Sequence, residues 1–178
     1  MTRRAGRRAA GLLAALVLLS TAGRCTPAMP APDPGAADAT TAALSALVEI
    51  MAARADADSV TVAATAGYAR DRIPPDVSER IAALPGLDPT TLADFQRGNA
   101  APAPLPRLTS ARVVIRQDAA APGALTLRLS RAGFSASGTQ ALVVAETVSP
   151  GGVQGEVFLL RREGDGWRVA ASAVLFIS

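Results

Sequence analysis

The reactive side chains of this protein are defined first by omission. It has no histidine and no lysine, so all 18 of its basic residues are arginine. Without histidine there is no Ser-His-Asp or Cys-His arrangement and no histidine-bearing metal site. Without lysine there is no Schiff base, Ser-Lys pair or phosphate-loop lysine. Carboxylates are what remain. Glu146 and Glu156 fall on neighbouring predicted strands, and glycoside hydrolysis requires two carboxylates flanking the scissile bond. The competing reading is that an acid on a hairpin strand is solvated or paired with arginine. No catalytic residue, metal ligand or cofactor is assigned on this ground.

Glu146 has a second peculiarity. Strict alternation places it on the face of Leu142, Val144 and Val148, where the pattern expects an apolar residue. A buried lone carboxylate is costly, so something must compensate it. Arg128 or Arg131 on the preceding strand is the nearest arginine that would form a bidentate pair. Glu146, Arg128 and Arg131 are therefore the candidate binding residues, either as a pair at the edge of the core or as the wall of a ligand pocket at the strand end.

The sole cysteine, Cys25, rules out an intramolecular disulfide. Its position is informative. Arg3, Arg4, Arg7 and Arg8 precede an apolar run from residue 9 to 22, which ends in small residues. A charged region followed by a short apolar one reads as a cleavable export signal over residues 1–24, too short for a membrane-spanning helix of about 20 apolar residues. Cys25 then stands where bacterial lipoproteins carry their lipidated cysteine. Arg24 departs from the small residue usual just before it, and the alternative is ordinary cleavage after Ala22 or Gly23 that leaves a thiol. The arginine pairs of the leader also raise twin-arginine export, but their flanking residues fit that signal poorly.

Removing the leader changes the charge argument. Five of the arginines lie before Cys25, leaving 13 against 15 acidic residues and a net charge of −2. The basic balance of the whole chain belongs largely to the leader and implies neither a nucleic-acid nor an anionic-membrane partner. Aromatic platforms are scarce as well, with one Trp, one Tyr and four Phe. Phe134, Phe158, Trp167 and Phe176 fall in or beside the predicted sheet, where packing explains them. The Pro150-Gly151-Gly152 stretch is a turn, since no helix start follows it to cradle a phosphate.

Residues 25–38 are rich in Pro, Ala, Gly and Asp and read as a disordered tether. A single domain is expected over 39–178, long enough for a core of its own. Leu44, Leu47, Val48 and Met51 recur at helical spacing, and residues 59–65 read as a strand. A second helix is expected from Pro74-Pro75 with Val77, Ile81 and Leu84 inward, and a third from Asp88-Pro89 to Gly98. From residue 111 the period becomes two. Strands are expected at 111–116, 124–130, 139–148, 154–162 and 166–177, separated by short turns, which makes an antiparallel meander of five strands. Trp167 alternates with Val169, Ala171 and Ala173 and is expected in the core. The fold class is α+β, with N-terminal helices packed on the C-terminal meander.

Five runs carry a resemblance: Ser130-Arg131-Ala132-Gly133-Phe134-Ser135, Thr139-Gln140-Ala141-Leu142-Val143, Phe158-Leu159-Leu160, Gly166-Trp167-Arg168-Val169 and the closing Phe176-Ile177-Ser178. Residues 125–178, and 84–99 more loosely, resemble a family of uncharacterised bacterial secreted or lipid-anchored proteins. That family often has Trp in place of Phe176, and Cys-Gly-rich loops in place of Pro150-Gly151-Gly152. No activity attaches to it, so the resemblance implies location and fold alone. The element order also resembles cone-shaped α+β folds with helices on one face of a curved sheet, which host enzymes and binding modules alike.

The functional expectation is an exported, non-catalytic envelope or extracellular module. Its partner would be a small ligand or an envelope protein, with no nucleic acid and with membrane contact only through a lipid on Cys25. The alternatives are an acid-base hydrolase using Glu146 and Glu156, and a structural or assembly protein of the cell envelope.

Overall fold

The computed structural model describes residues 34–66, 75–117 and 125–178. The leader, Cys25 and residues 26–33 of the expected tether lie outside the described residues, as do Pro74 and the expected turn at 118–123. The described residues form an α+β domain with three helices and a mixed, mostly antiparallel sheet of seven strands.

Helix α1 (Pro34–Arg54) buries Leu44, Leu47, Val48 and Met51, the apolar positions that helical spacing selects. It begins at Pro34, inside the 25–38 stretch read as tether. Alanine explains the extension: residues 36–46 are dominated by the best helix former, and proline is tolerated in a first turn. Asp56, at φ 51°, turns the chain out of α1, a conformation that Asp adopts more readily than most residues. The expected strand at 59–65 is split. Its first part is β1 (Ser59–Val62), and β2 (Thr65–Ala66) turns away to pair with β3 (Ala103–Pro104).

Helix α2 (Pro75–Ala82) places Val77 and Ile81 inward, with Leu84 buried just beyond its end. Helix α3 (Pro89–Gly98) starts as its sequence implies. The carboxylate of Asp88 accepts from the Thr90 N–H and the Thr90 hydroxyl, both at 2.7 Å, which satisfies part of the unpaired first turn.

The expected strands appear as β4 (Val114–Arg116), β5 (Leu125–Leu129), β7 (Gln140–Ser149), β8 (Gly152–Glu163) and β9 (Gly166–Ile177), with a short β6 (Gly133–Phe134) paired to β7. Strands β5, β7, β8 and β9 are antiparallel neighbours in chain order. β4 departs from the expected meander: β1 lies between β4 and β5 and runs parallel to both, giving the order β4-β1-β5-β7-β8-β9.

Helices cover both faces rather than one. On one face α1 packs Leu44, Leu47 and Val48 against Leu127, Ala141, Val143, Ala145 and Phe158. On the other, Val77, Ile81 and Phe95 of α2 and α3 meet Leu142, Val144, Val157 and Leu159. The cause is β7, apolar at both parities from Ala141 to Ala145, which requires cover on each side.

Two irregularities in β9 correct the expected alternation of Trp167 with Ala171 and Ala173. The register between β8 and β9 shifts at Leu159/Leu160, so Trp167 and Val169 belong to the α1 face while Ala171 and Ala173 belong to the α2–α3 face. An extra residue in one strand reverses the facing of everything beyond it. Trp167 is nonetheless buried and meets Phe134 edge to face, with ring centroids 5.9 Å apart. A second shift, at Gly155/Glu156, brings Phe176 opposite Gly155. Its ring occupies the space where a Cβ on Gly155 would stand.

Candidate functional site

The sheet brings Glu146 and Arg128 together and leaves Arg131 elsewhere. Arg128 is the register partner of Glu146 across β5 and β7, and Arg128 Nη1 lies 3.7 Å from Glu146 Oε2. The Arg128 side chain is half exposed, so this is a screened pair at the sheet surface. Arg131 follows the end of β5, and its backbone is held from both sides by Asn99. Asn99 Oδ1 accepts from the Arg131 N–H at 2.8 Å, and Asn99 Nδ2 donates to the Arg131 carbonyl at 3.0 Å. The ion pair that Glu146 makes among the described residues is with Arg128 and does not include Arg131.

Glu146 and Glu156 lie on opposite faces. Glu146 is level with Gly155, and Glu156 is level with Ala145, one residue out of phase. Glu156 instead points to the α1 side, where Arg54 Nη1 is 3.3 Å away and the Arg54 guanidinium lies 5.3 Å from the centre of the Phe158 ring. Two carboxylates separated by a sheet cannot flank one scissile bond, which removes the acid-base pair drawn from the sequence.

Several polar side chains that sequence reasoning passed over are buried fasteners. Gln140 is the chief one: its side-chain oxygen accepts from the Asp88 N–H at 2.8 Å and from the Thr91 hydroxyl at 3.0 Å, and its nitrogen donates to the Gly86 carbonyl at 2.9 Å. Asp94 accepts from the Phe134 N–H at 2.9 Å, which seats α3 on β6. Contact there is so close that a Cβ on Gly133 would strike the backbone of Phe95. Much of the run from Ser130 to Gln140 is thus explained by attachment of α3 to the sheet. Among the described residues no buried polar side-chain atom is without a partner, so these fasteners hold structure and leave nothing aimed at a ligand. Hydrogen bonds from the Thr90 hydroxyl and then the Thr90 N–H hold the Asp88 carboxyl below its usual value, consistent with a capping role.

Open space lies at the two ends of β1. At its amino end, a cleft of about 890 Å³ runs along the turn after α1, lined by Asp56, Asp58, Leu125, Thr126 and Thr147. None of its lining residues is buried, so it is a shallow surface feature. At the carboxyl end is a cleft of about 550 Å³ lined by Ala64, Pro104, Leu105, Arg107, Leu108, Ile115, Arg116 and Gln117. Leu105 and Leu108 are buried members of the α1-side core, so this cleft has an apolar floor.

The walls of the second cleft are fastened at several points. The Leu105 N–H donates to the Ala64 carbonyl at 2.9 Å. Gln117 accepts from the Leu108 N–H at 2.9 Å and donates to the Pro106 carbonyl at 3.0 Å. Beyond it, Ser110 donates to Glu49 of α1 at 2.6 Å. A proline-rich crossing segment is thus fixed against β1, β4 and α1, which favours a preformed site. Arg107 and Arg116 are exposed on this cleft, and neither has a carboxylate partner among the described residues. Sequence reasoning missed the pair because they lie nine positions apart, and only the parallel pairing of β4 with β1 and the fastening of Leu105 to Ala64 just beyond β1 bring them to one opening.

No family model, curated protein or solved structure matches the chain. Among the described residues, no helix is long and apolar enough to cross a membrane, and no group of three or more His, Cys, Asp or Glu could hold a metal ion.

Proposed function

We propose that this protein is an exported, non-catalytic binding module whose small-molecule seat is the cleft at the carboxyl end of β1. The observation that carries the reading is the cleft's construction: buried Leu105 and Leu108 form its floor, fastened backbone forms its walls, and its volume of about 550 Å³ suits a small ligand. The cleft opens where the parallel strands β1 and β4 end and the segment after β3 crosses them. Support for export is the charged and apolar leader over residues 1–24, and the resemblance of residues 125–178 to secreted or lipid-anchored proteins points the same way. Lipid on Cys25 would hold the module at the envelope.

A ligand-stabilisation screen on the full chain tests the reading, with Ala64→Trp as the blocking variant because Ala64 is exposed on the cleft. Ligands that raise the melting temperature of the wild type should leave Ala64→Trp unmoved, while its own melting stays near that of the wild type. Hits that stabilise both equally would place binding elsewhere. Substrate turnover by the protein would refute the non-catalytic part.

A further inference from the structure

Building on the cleft as the ligand seat, we infer that its ligand is an amphipathic anion: a carboxylate or phosphate carried on a compact apolar body. Among the described residues, Arg107 and Arg116 are the only charged ones lining the cleft, and both are arginine. Guanidinium groups present paired N–H donors that match the geometry of a carboxylate or phosphate. The neighbouring polar side chain does not compete for the role, because both ends of the Gln117 amide already serve the backbone of residues 106 and 108. The side chains of the remaining lining, Ala64, Pro104, Leu105, Leu108 and Ile115, are all apolar and provide surface for the ligand's body.

Charge sign along β1 sharpens the assignment. Asp56 and Asp58 line the clefts at the amino end of the strand, whereas the carboxyl end carries the two arginines. Four residues of strand separate the ends, roughly 13 Å at about 3.3 Å per residue. That span exceeds the screening length of about 8 Å at physiological salt, so the charges at the two ends are screened from each other and an anion meets a locally favourable sign at one opening and a locally unfavourable one at the other.

The test uses three probes on the full chain: octanoate as the amphipathic anion, octan-1-ol as its neutral counterpart, and inorganic phosphate as the anion without an apolar body. Calorimetric titration should show octanoate binding at least about tenfold more tightly than either of the others, about 1.4 kcal/mol shared between two arginine contacts. Replacing both arginines, Arg107→Gln with Arg116→Gln, should reduce octanoate to the level of octan-1-ol. Ala64→Trp should abolish binding of both. If octan-1-ol binds as tightly as octanoate, or the double arginine variant keeps full octanoate affinity, while Ala64→Trp still blocks, the inference falls and the cleft reading stands. Phosphate binding as tight as octanoate overturns the apolar half of the inference. If no probe binds, or Ala64→Trp leaves octanoate binding unchanged, both readings fall.

Discussion

Replacing Gln140 by Leu probes how α2 and α3 are held to the sheet. Leucine approximates the volume of glutamine and removes three hydrogen bonds at once: from the Asp88 N–H, from the Thr91 hydroxyl and to the Gly86 carbonyl. Each buried group left unpaired costs about 1–3 kcal/mol. Thr91 has no exposed surface and bears that cost in full, whereas the groups on Asp88 and Gly86 are partly buried and water offsets some of theirs. Burying a leucine in place of an amide recovers about 1 kcal/mol. The net expectation is a loss of about 2–4 kcal/mol, out of a total near 5–15 kcal/mol for a domain of this kind. Urea unfolding measures it, read as a lowered midpoint at an unchanged slope. Thr91→Val alone should cost about 1 kcal/mol, because the Gln140 oxygen keeps its bond to Asp88. Combining the two should cost about 1 kcal/mol less than the sum, since the hydroxyl stranded by the first change is absent. A loss below about 1 kcal/mol for Gln140→Leu, or strict additivity of the pair, would refute the fastening role.

Trp167→Ala should destabilise by about 3–5 kcal/mol, because it removes a side chain only 8% exposed and its edge contact with Phe134; thermal denaturation checks it. Glu146→Gln should cost no more than about 1 kcal/mol, because its partner Arg128 is half exposed; a larger loss by chemical denaturation would show a pair buried as the alternation alone suggests. Asp88 supplies a pH test: its folded value lies below the ordinary 3.8, so its stabilising contribution is complete above that value and disappears as pH falls through the lower, folded one. The melting temperatures of the wild type and Asp88→Ala should therefore differ at neutral pH and draw together only as pH falls below 3.8 and through the lower folded value; an unchanged gap in acid would contradict the cap.

What the sequence determined by itself is local. The Asp88-Pro89 start of α3, the inward faces of α1 and α2, the turns at Gly151-Gly152 and Gly164, and the burial of Trp167 follow from capping chemistry and from periods of 3.6 and 2. These rest on interactions within a few residues, so a short window contains their cause. The α+β class follows from the change of period near residue 111.

Tertiary structure decided whatever depends on pairing across distance. The insertion of β1 between β4 and β5 is written nowhere in residues 59–62, because a four-residue apolar strand suits any vacant edge. The register shifts of β9 exchanged the faces of Trp167 and Ala171 through one extra residue, which no alternation count detects. Glu146 and Glu156 looked like a pair because their strands are neighbours; their register places them one residue out of phase, and the pleat then sends them to opposite faces. Arg107 and Arg116 looked like unrelated surface charges, and they share an opening only because a proline-rich crossing and a parallel strand meet at the same end of β1.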